Sequence, residues 1–266
     1  MDKKRFKKPS DETKFIPGIY NYCDRWCERC RFTARCKNYA LSEGLRTNPE
    51  SRDVQNETFW QNMNEIFRMT LEMVNEMAVR EGIDQNPPDV KTAPAKGKLV
   101  KDATINHECS HAAKVYGKMV NTWFESAEAV FREKGSELRM KAQLKLPHAD
   151  PSAEAASLID AVEVIRWYQY QIYVKLMRAL HGLLEENQKN SGNSLKDSDG
   201  SAKVALIAVD RSIAAWGKLR EHLPEQGDDI LDLLVHLGRI RKKAEQTFPN
   251  ARAFTRPGFD EAQPHG

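Results

Sequence analysis

No apolar run in this 266-residue chain is long enough to cross a membrane: the longest strongly apolar stretch is Val204 to Val209, where a helical span needs about 20 residues. The first thirty residues open with Lys3, Lys4, Arg5, Lys7 and Lys8 but have no apolar segment of the signal-peptide kind, so neither a signal peptide nor a membrane contact is expected, and a cytoplasmic protein is. Period-two alternation over a strand length is missing, as are a Gly-rich phosphate loop after a strand-like run and any internal repeat. These absences point away from sheets and nucleotide folds and toward helices. Cysteine is scarce as well, and four of the five fall together as Cys23, Cys27, Cys30 and Cys36. In a reducing cytoplasm such a cluster reads as a ligand set rather than as disulfides.

Residues 1–18 are charged, contain two prolines and show neither helical nor strand period, and are expected to form a mobile basic arm. Residues 19–44 are expected to form a small four-cysteine, metal-binding lobe at one end of the molecule. From about Val54 to Arg80, Trp60, Met63, Phe67, Leu71, Val74 and Met77 recur at helical spacing, closed by Gly82. Asp84 to Val100 reads as a loop, followed by a helix from about Ile105 to Glu133 with Cys109, Ala112, Tyr116, Met119, Trp123 and Ala127 as its stripe.

Asp150 and Pro151 supply an N-cap and a first-turn proline for the longest helix, reaching about Glu186, whose stripe is Leu158, Val162, Ile165, Ile172, Leu176, Leu180 and Leu183. Asn187 to Gly200 reads as a polar linker. Helices over Ala202–Glu221 and Pro224–Gln246 follow, and residues 249–266 are expected to be irregular. The architecture expected is all-α: an antiparallel bundle of four or five helices spanning 54–248, with the four-cysteine lobe before it.

The ligand string is Cys-x3-Cys-x2-Cys-x5-Cys, short enough for all four thiolates to reach one compact centre. Structural zinc usually takes two Cys pairs separated by a dozen or more residues, which the five-residue last spacer does not provide. A radical-SAM enzyme would share the first two spacers, but it needs an open iron and a barrel of strands. An iron-sulfur cluster, of the [4Fe-4S] kind, is therefore expected at Cys23, Cys27, Cys30 and Cys36, with zinc as the alternative. Tyr20, Tyr22, Trp26, Phe32 and Tyr39 would shield it from water, or simply fill the core of the lobe.

The stretch from Cys27 to Cys36, CERCRFTARC, resembles the [4Fe-4S] cluster loop of the endonuclease III class of DNA glycosylases and the C-terminal cluster of RecB-type nucleases. Phe32, two residues after the third cysteine, fits the latter. The resemblance implies an iron-sulfur centre. Neither a helix-hairpin-helix glycine motif nor an acidic-pair-plus-lysine nuclease motif accompanies it, and the first spacer is three residues where the glycosylases have six.

Charge is concentrated near the cysteines. Residues 1–40 hold eleven Lys/Arg against five Asp/Glu, and the rest of the chain holds thirty against thirty-three. Arg25, Arg29, Arg31, Arg35 and Lys37 would face an acidic protein or nucleic acid, or balance the negative charge of a four-thiolate centre.

Away from this segment, Glu108 and His111 have Glu-x-x-His spacing, but no second copy exists to complete a di-iron site, and an acid is favoured in a first helical turn in any case. Asp210 has only apolar neighbours at helical spacing, namely Leu206, Ile207, Ile213 and Ala214. It is expected to be buried and paired, with Arg211 and the Glu163/Arg166 pair as candidate partners and Tyr170 nearby. Trp60, Trp123, Trp167 and Trp216 fall one to a helix and are read as core, as is Cys109.

Three functions remain open. The first is a bacterial-type accessory protein whose cluster serves a redox, sensing or structural role. The second is a nucleic-acid-associated protein using the basic lobe, and the third an enzyme with a polar site in the bundle core.

Overall fold

The computed structural model describes residues 14–46, 93–144, 150–189 and 197–260, together with Glu57, Trp60, Asn64 and Arg68. Among these residues the fold is all-α, with seven helices, short 3-10 turns and no strand: α1 (Lys37–Arg46), α2 (Ala93–Asn106), α3 (Glu108–Ser126), α4 (Glu128–Leu144), α5 (Pro151–Lys189), α6 (Asp197–His222) and α7 (Gly227–Thr247). The chain groups into two compact units. Of the described residues, those within 1–21, 25–97 and 257–266 form one, and those within 22–24 and 98–256 the other.

The second unit is an antiparallel four-helix bundle of α3, α5, α6 and α7. Each helix packs on its two neighbours around the ring: α5 on α3 and α6, α7 on α6 and α3. Cross-helix hydrogen bonds give the directions. Ser110 and Asn121 of α3 meet Met177 and Arg166 of α5, Arg178 and Tyr168 of α5 meet Asp197 and Arg211 of α6, and Ala112 of α3 meets His236 of α7. Inside the ring, Tyr116, Ile165, Ile172, Leu176, Leu180, Leu206, Trp216, Leu219, Leu237 and Ile240 are almost wholly removed from solvent. Each such aliphatic side chain contributes about 1.5–3 kcal/mol of apolar burial.

The aromatic layer sits between α3 and α6. Trp123 meets Trp216 edge to face at 4.8 Å, and the Trp216 indole N–H donates to the Tyr116 hydroxyl at 3.0 Å. Of the other tryptophans read as core, Trp167 is only half-buried and Trp60 is 56% exposed.

Helix ends follow local chemistry. The Asp150 carboxylate accepts the Ala153 N–H at 2.9 Å, and α5 runs from Pro151 as its cap and proline predict. The helix expected over Ile105–Glu133 is instead divided among α2, α3 and α4. His107 breaks it, leaving helical geometry so that its ring Nδ1 accepts the Cys109 N–H at 3.1 Å, an N-cap of a residue type seldom read as one. Its buried face also turns by one residue, to Ala113 and Val120 in place of Ala112 and Met119.

Part of the expected 84–100 loop is helix, since α2 begins at Ala93. The linker is shorter than expected too: α5 extends to Lys189 and α6 starts at Asp197, with Asp197 and Asp199 in its first turn, where the helix dipole favours acids. Nor are residues 249–256 loose chain. A 3-10 turn at Ala251–Ala253 packs on α6, with Ala251 and Phe254 buried.

Of the helix expected over Val54–Arg80, Glu57, Trp60, Asn64 and Arg68 are helical with exposed side chains; Met63, Phe67, Leu71, Val74 and Met77 lie outside the described residues. So do residues 1–13 of the basic arm, 190–196 of the linker and 261–266 of the tail.

Candidate metal centre

In the unit that holds Cys27, Cys30 and Cys36, three side chains make a small apolar core: Ile16, Ile19 and Phe32, with Tyr20, Cys30, Cys36 and Phe259 packed against it. Phe32 meets Phe259 edge to face at 5.0 Å. Gly258 closes this core in a left-handed conformation (φ 74°), and a Cβ there would come within 2.9 Å of Ile16 Cδ1. The Ile16 N–H donates to the Arg35 carbonyl at 3.0 Å, tying residues 14–19 to the cysteine loop.

The loop is built from two single 3-10 turns, Cys27–Arg29 and Thr33–Arg35, each closed by a cysteine: the Cys30 N–H donates to Cys27 O at 3.1 Å and the Cys36 N–H to Thr33 O at 3.2 Å. Between them the Phe32 N–H donates to the Cys30 sulfur at 3.4 Å. A backbone N–H aimed at sulfur is the kind of outer contact that orients a metal-binding cysteine. Arg25, two residues ahead of Cys27, holds a left-handed φ of 61°. That conformation costs a non-glycine roughly 1–2 kcal/mol. The Cys36 carbonyl accepts the Ala40 N–H at 3.0 Å and so opens α1.

Arg25, Arg29, Arg31 and Arg35 are exposed and Lys37 is half-buried. Two of the arginines lie on aromatic faces, Arg29 at 4.1 Å from the Trp26 ring centre and Arg31 at 4.7 Å from that of Phe32.

Cys23 belongs to the bundle unit, where α5 and α6 hold Tyr22, Cys23 and Asp24. Lys175 Nζ donates to the Cys23 carbonyl at 2.8 Å and Trp167 Nε1 to the Asp24 carbonyl at 3.1 Å. Asp24 Oδ2 accepts from the Tyr168 hydroxyl at 2.6 Å and from Arg211 Nη1 at 2.7 Å, and Arg211 also bonds the Tyr168 oxygen. Burial, then the Asp24 carboxylate, pushes the Tyr168 phenol well above its ordinary value, so it stays a donor. Tyr22 donates to Asp197 at 2.9 Å.

None of the five cysteines is in a disulfide: Cys23, Cys27, Cys30 and Cys36 are half-buried, and Cys109 is buried, with burial raising its pKa and Thr247 Oγ1 at 3.6 Å. Among the described residues no three His, Cys, Asp or Glu side chains are gathered as a metal site. The four-cysteine assignment therefore rests on spacing and on the N–H···S contact. Ligands of a small metal centre draw together as the metal binds, because its binding energy is also folding energy.

The polar site expected in the bundle core does not form. Asp210 is 38% exposed and pairs with Arg252 at 2.5 Å and Arg241 at 3.6 Å, not with Arg211. The buried edge of α6 runs through Leu206, Val209, Ser212 and Trp216, while Ile207 and Ile213 are half-buried and Ala214 is exposed. Apolar neighbours thus do not make a buried position.

Arg211 goes to Asp24, and Arg166 lies over Phe124 and bonds Asn121 and Gln169. Glu163 and Tyr170 are exposed, Tyr170 accepting from Asn121 at 2.8 Å. An open groove of about 560 Å³ where α6 turns into α7 is lined by Arg220, Glu221, Glu225 and Asp228 and holds none of the four candidates. Glu108 pairs with Lys243 of α7, which lowers its pKa, so its role is to join two helices. Asp24, Trp167, Tyr168 and Lys175 carry no signal in the sequence because their partners lie more than 140 residues away.

No helix among the described residues is long and apolar enough to cross a membrane. The chain matches no protein-family model, no curated protein and no solved structure.

Proposed function

We propose that Cys23, Cys27, Cys30 and Cys36 hold an iron-sulfur cluster of the [4Fe-4S] kind, and that the protein is a bacterial-type accessory protein of the reducing cytoplasm in which the cluster serves a redox, sensing or structural role. The observation that carries this reading is the compact 3-2-5 spacing of four thiols, together with a backbone N–H directed at the Cys30 sulfur. When bound, such a centre supplies one-electron chemistry or a covalent clip. The resemblance of residues 27–36 to the glycosylase and nuclease cluster loops supports the same cofactor.

The test is anaerobic purification followed by iron, sulfide and zinc analysis. Brown protein whose visible absorption bleaches on reduction, and loses its colour in Cys27→Ala and Cys30→Ala, is the expected result. Colourless protein with one zinc per chain would assign the site to zinc instead.

A second reading, nucleic-acid association, is favoured by one observation: Arg25, Arg29, Arg31 and Arg35 are all solvent-exposed beside the cysteines. Neutralising six or more phosphates makes affinity fall on the order of a thousandfold between 50 and 200 mM salt. Titration of duplex and single-stranded oligonucleotides at several salt concentrations, against a variant with Arg29, Arg31 and Arg35 changed to serine, tests it. Equal binding by the variant removes the reading and leaves an acidic protein as the partner to be sought.

A further inference from the structure

Four side chains from α5 and α6 converge on the backbone and carboxylate of two consecutive residues, the first of which is a cysteine. Lys175 holds the Cys23 carbonyl, Trp167 the Asp24 carbonyl, and Tyr168 with Arg211 the Asp24 carboxylate, all at 2.6–3.1 Å. Two of these donors are deeply placed, Tyr168 at 0% and Lys175 at 7% exposure. An ammonium or a phenol at such depth must keep its partners, because desolvation without them is expensive. Tyr168 and Lys175 are enclosed by the close-packed core, which restrains their side chains and the donors they carry.

The preceding residue is seated as firmly. The Tyr22 ring lies against Gly200 and meets the Phe254 ring at 4.8 Å. The backbone at Cys23 is therefore fixed on both sides, while its thiol is left half-buried.

We infer that Lys175, Trp167, Tyr168 and Arg211 are positioning residues for the Cys23 thiol, presenting it to the metal from a rigid helical mount. This rests on the metal-binding reading above. A ligand whose backbone is already ordered loses less conformational entropy when it coordinates, and outer partners of metal ligands commonly contribute 10–100-fold to retention of the metal. Cys23 itself lies in a bend, but the four donors that hold it and Asp24 are carried on α5 and α6, and groups on helices hold geometry more closely than groups on loops.

The test uses the full chain, reconstituted anaerobically with ferrous iron and sulfide, with iron loss to a ferrous chelator timed and helix content followed by circular dichroism. Lys175→Met, and Tyr168→Phe combined with Arg211→Met, are expected to release iron at least about tenfold faster at unchanged helix content. Lys175→Arg, which keeps the donor, should restore retention.

A double-mutant comparison separates positioning from general stabilisation. If Lys175 acts through Cys23, then Lys175→Met adds nothing in a Cys23→Ser background, whereas an independent structural effect would add. Wild-type release rates in the variants, or additive effects, overturn the inference. The half-exposed Arg211→Met decides the matter should Lys175→Met fail to fold. A wild-type chain that takes zinc but not iron is timed in the same way with a zinc chelator, whereas one that takes up neither metal refutes the metal reading itself.

Discussion

Replacing Gly200 by alanine tests the seat of Tyr22 directly. Gly200 lies within α6, and a Cβ there would approach Tyr22 Cδ1 to 2.6 Å and Phe254 Cζ to 2.7 Å, and would come closer still to Tyr22 Cε1. Neither ring can retreat easily, since Tyr22 is tied to Asp197 at 2.9 Å and Phe254 is 5% exposed. Forcing extra volume into such a contact typically costs about 1–3 kcal/mol, while Gly to Ala in a helix returns roughly 1 kcal/mol.

Gly217 of the same helix has nothing within 4 Å of its notional Cβ, so Gly217→Ala should show the helix gain alone. The two substitutions are therefore expected to have opposite signs, differing by about 1–3 kcal/mol. In a bundle of this size each kcal/mol moves Tm by about 2–4 °C. Urea titrations and thermal melts followed by circular dichroism would measure both, and Tyr22→Ala should abolish most of the Gly200→Ala penalty. If Gly200→Ala proves as stable as Gly217→Ala, the Tyr22 ring does not sit on α6 as described, and the mount for Cys23 loses its first support.

Burial pushes the Tyr116 phenol up to about 12, above its ordinary 10. A raised folded-state value means this stabilising contribution is complete below pH 10 and is lost as pH rises toward 12, so urea midpoints should fall over that window by an amount worth about 2–3 kcal/mol more in wild type than in Tyr116→Phe. Asp210→Ala should cost no more than about 1 kcal/mol, and less in high salt, because the Arg252 pair is more than a third exposed; a loss of several kcal/mol in urea titrations would restore the buried-network expectation. Cys109→Ala should leave metal content unchanged by elemental analysis while Cys30→Ala empties the site, and equal losses in both would place Cys109 among the ligands.

The parts of the fold legible in the sequence are those set by neighbours along the chain. Asp150 followed by Pro151 marks the start of α5, and the Leu223-Pro224 turn marks the passage from α6 to α7, because capping and proline chemistry act within one turn. The break at His107 is not legible, because an imidazole cap has no strong compositional signal. Asp210 misleads for a geometric reason: residues at three and four positions away flank a helical position without sharing its solvent exposure.

Of the candidate site, the thiols are visible as a spacing. The bonds that Asp24 makes to Tyr168 and Arg211 cannot be seen in it, since they exist only once α5 and α6 have paired.

The ring of α3, α5, α6 and α7 has a consequence for how the bundle meets other molecules. Each helix carries a dipole of about half a charge at either end, and every neighbour in the ring runs the opposite way. Positive and negative ends alternate at both faces of the bundle, so their fields cancel within a few ångströms of the surface. The backbone thus confers no polarity on the bundle, and whatever attracts a charged partner over distance must be written in its side chains.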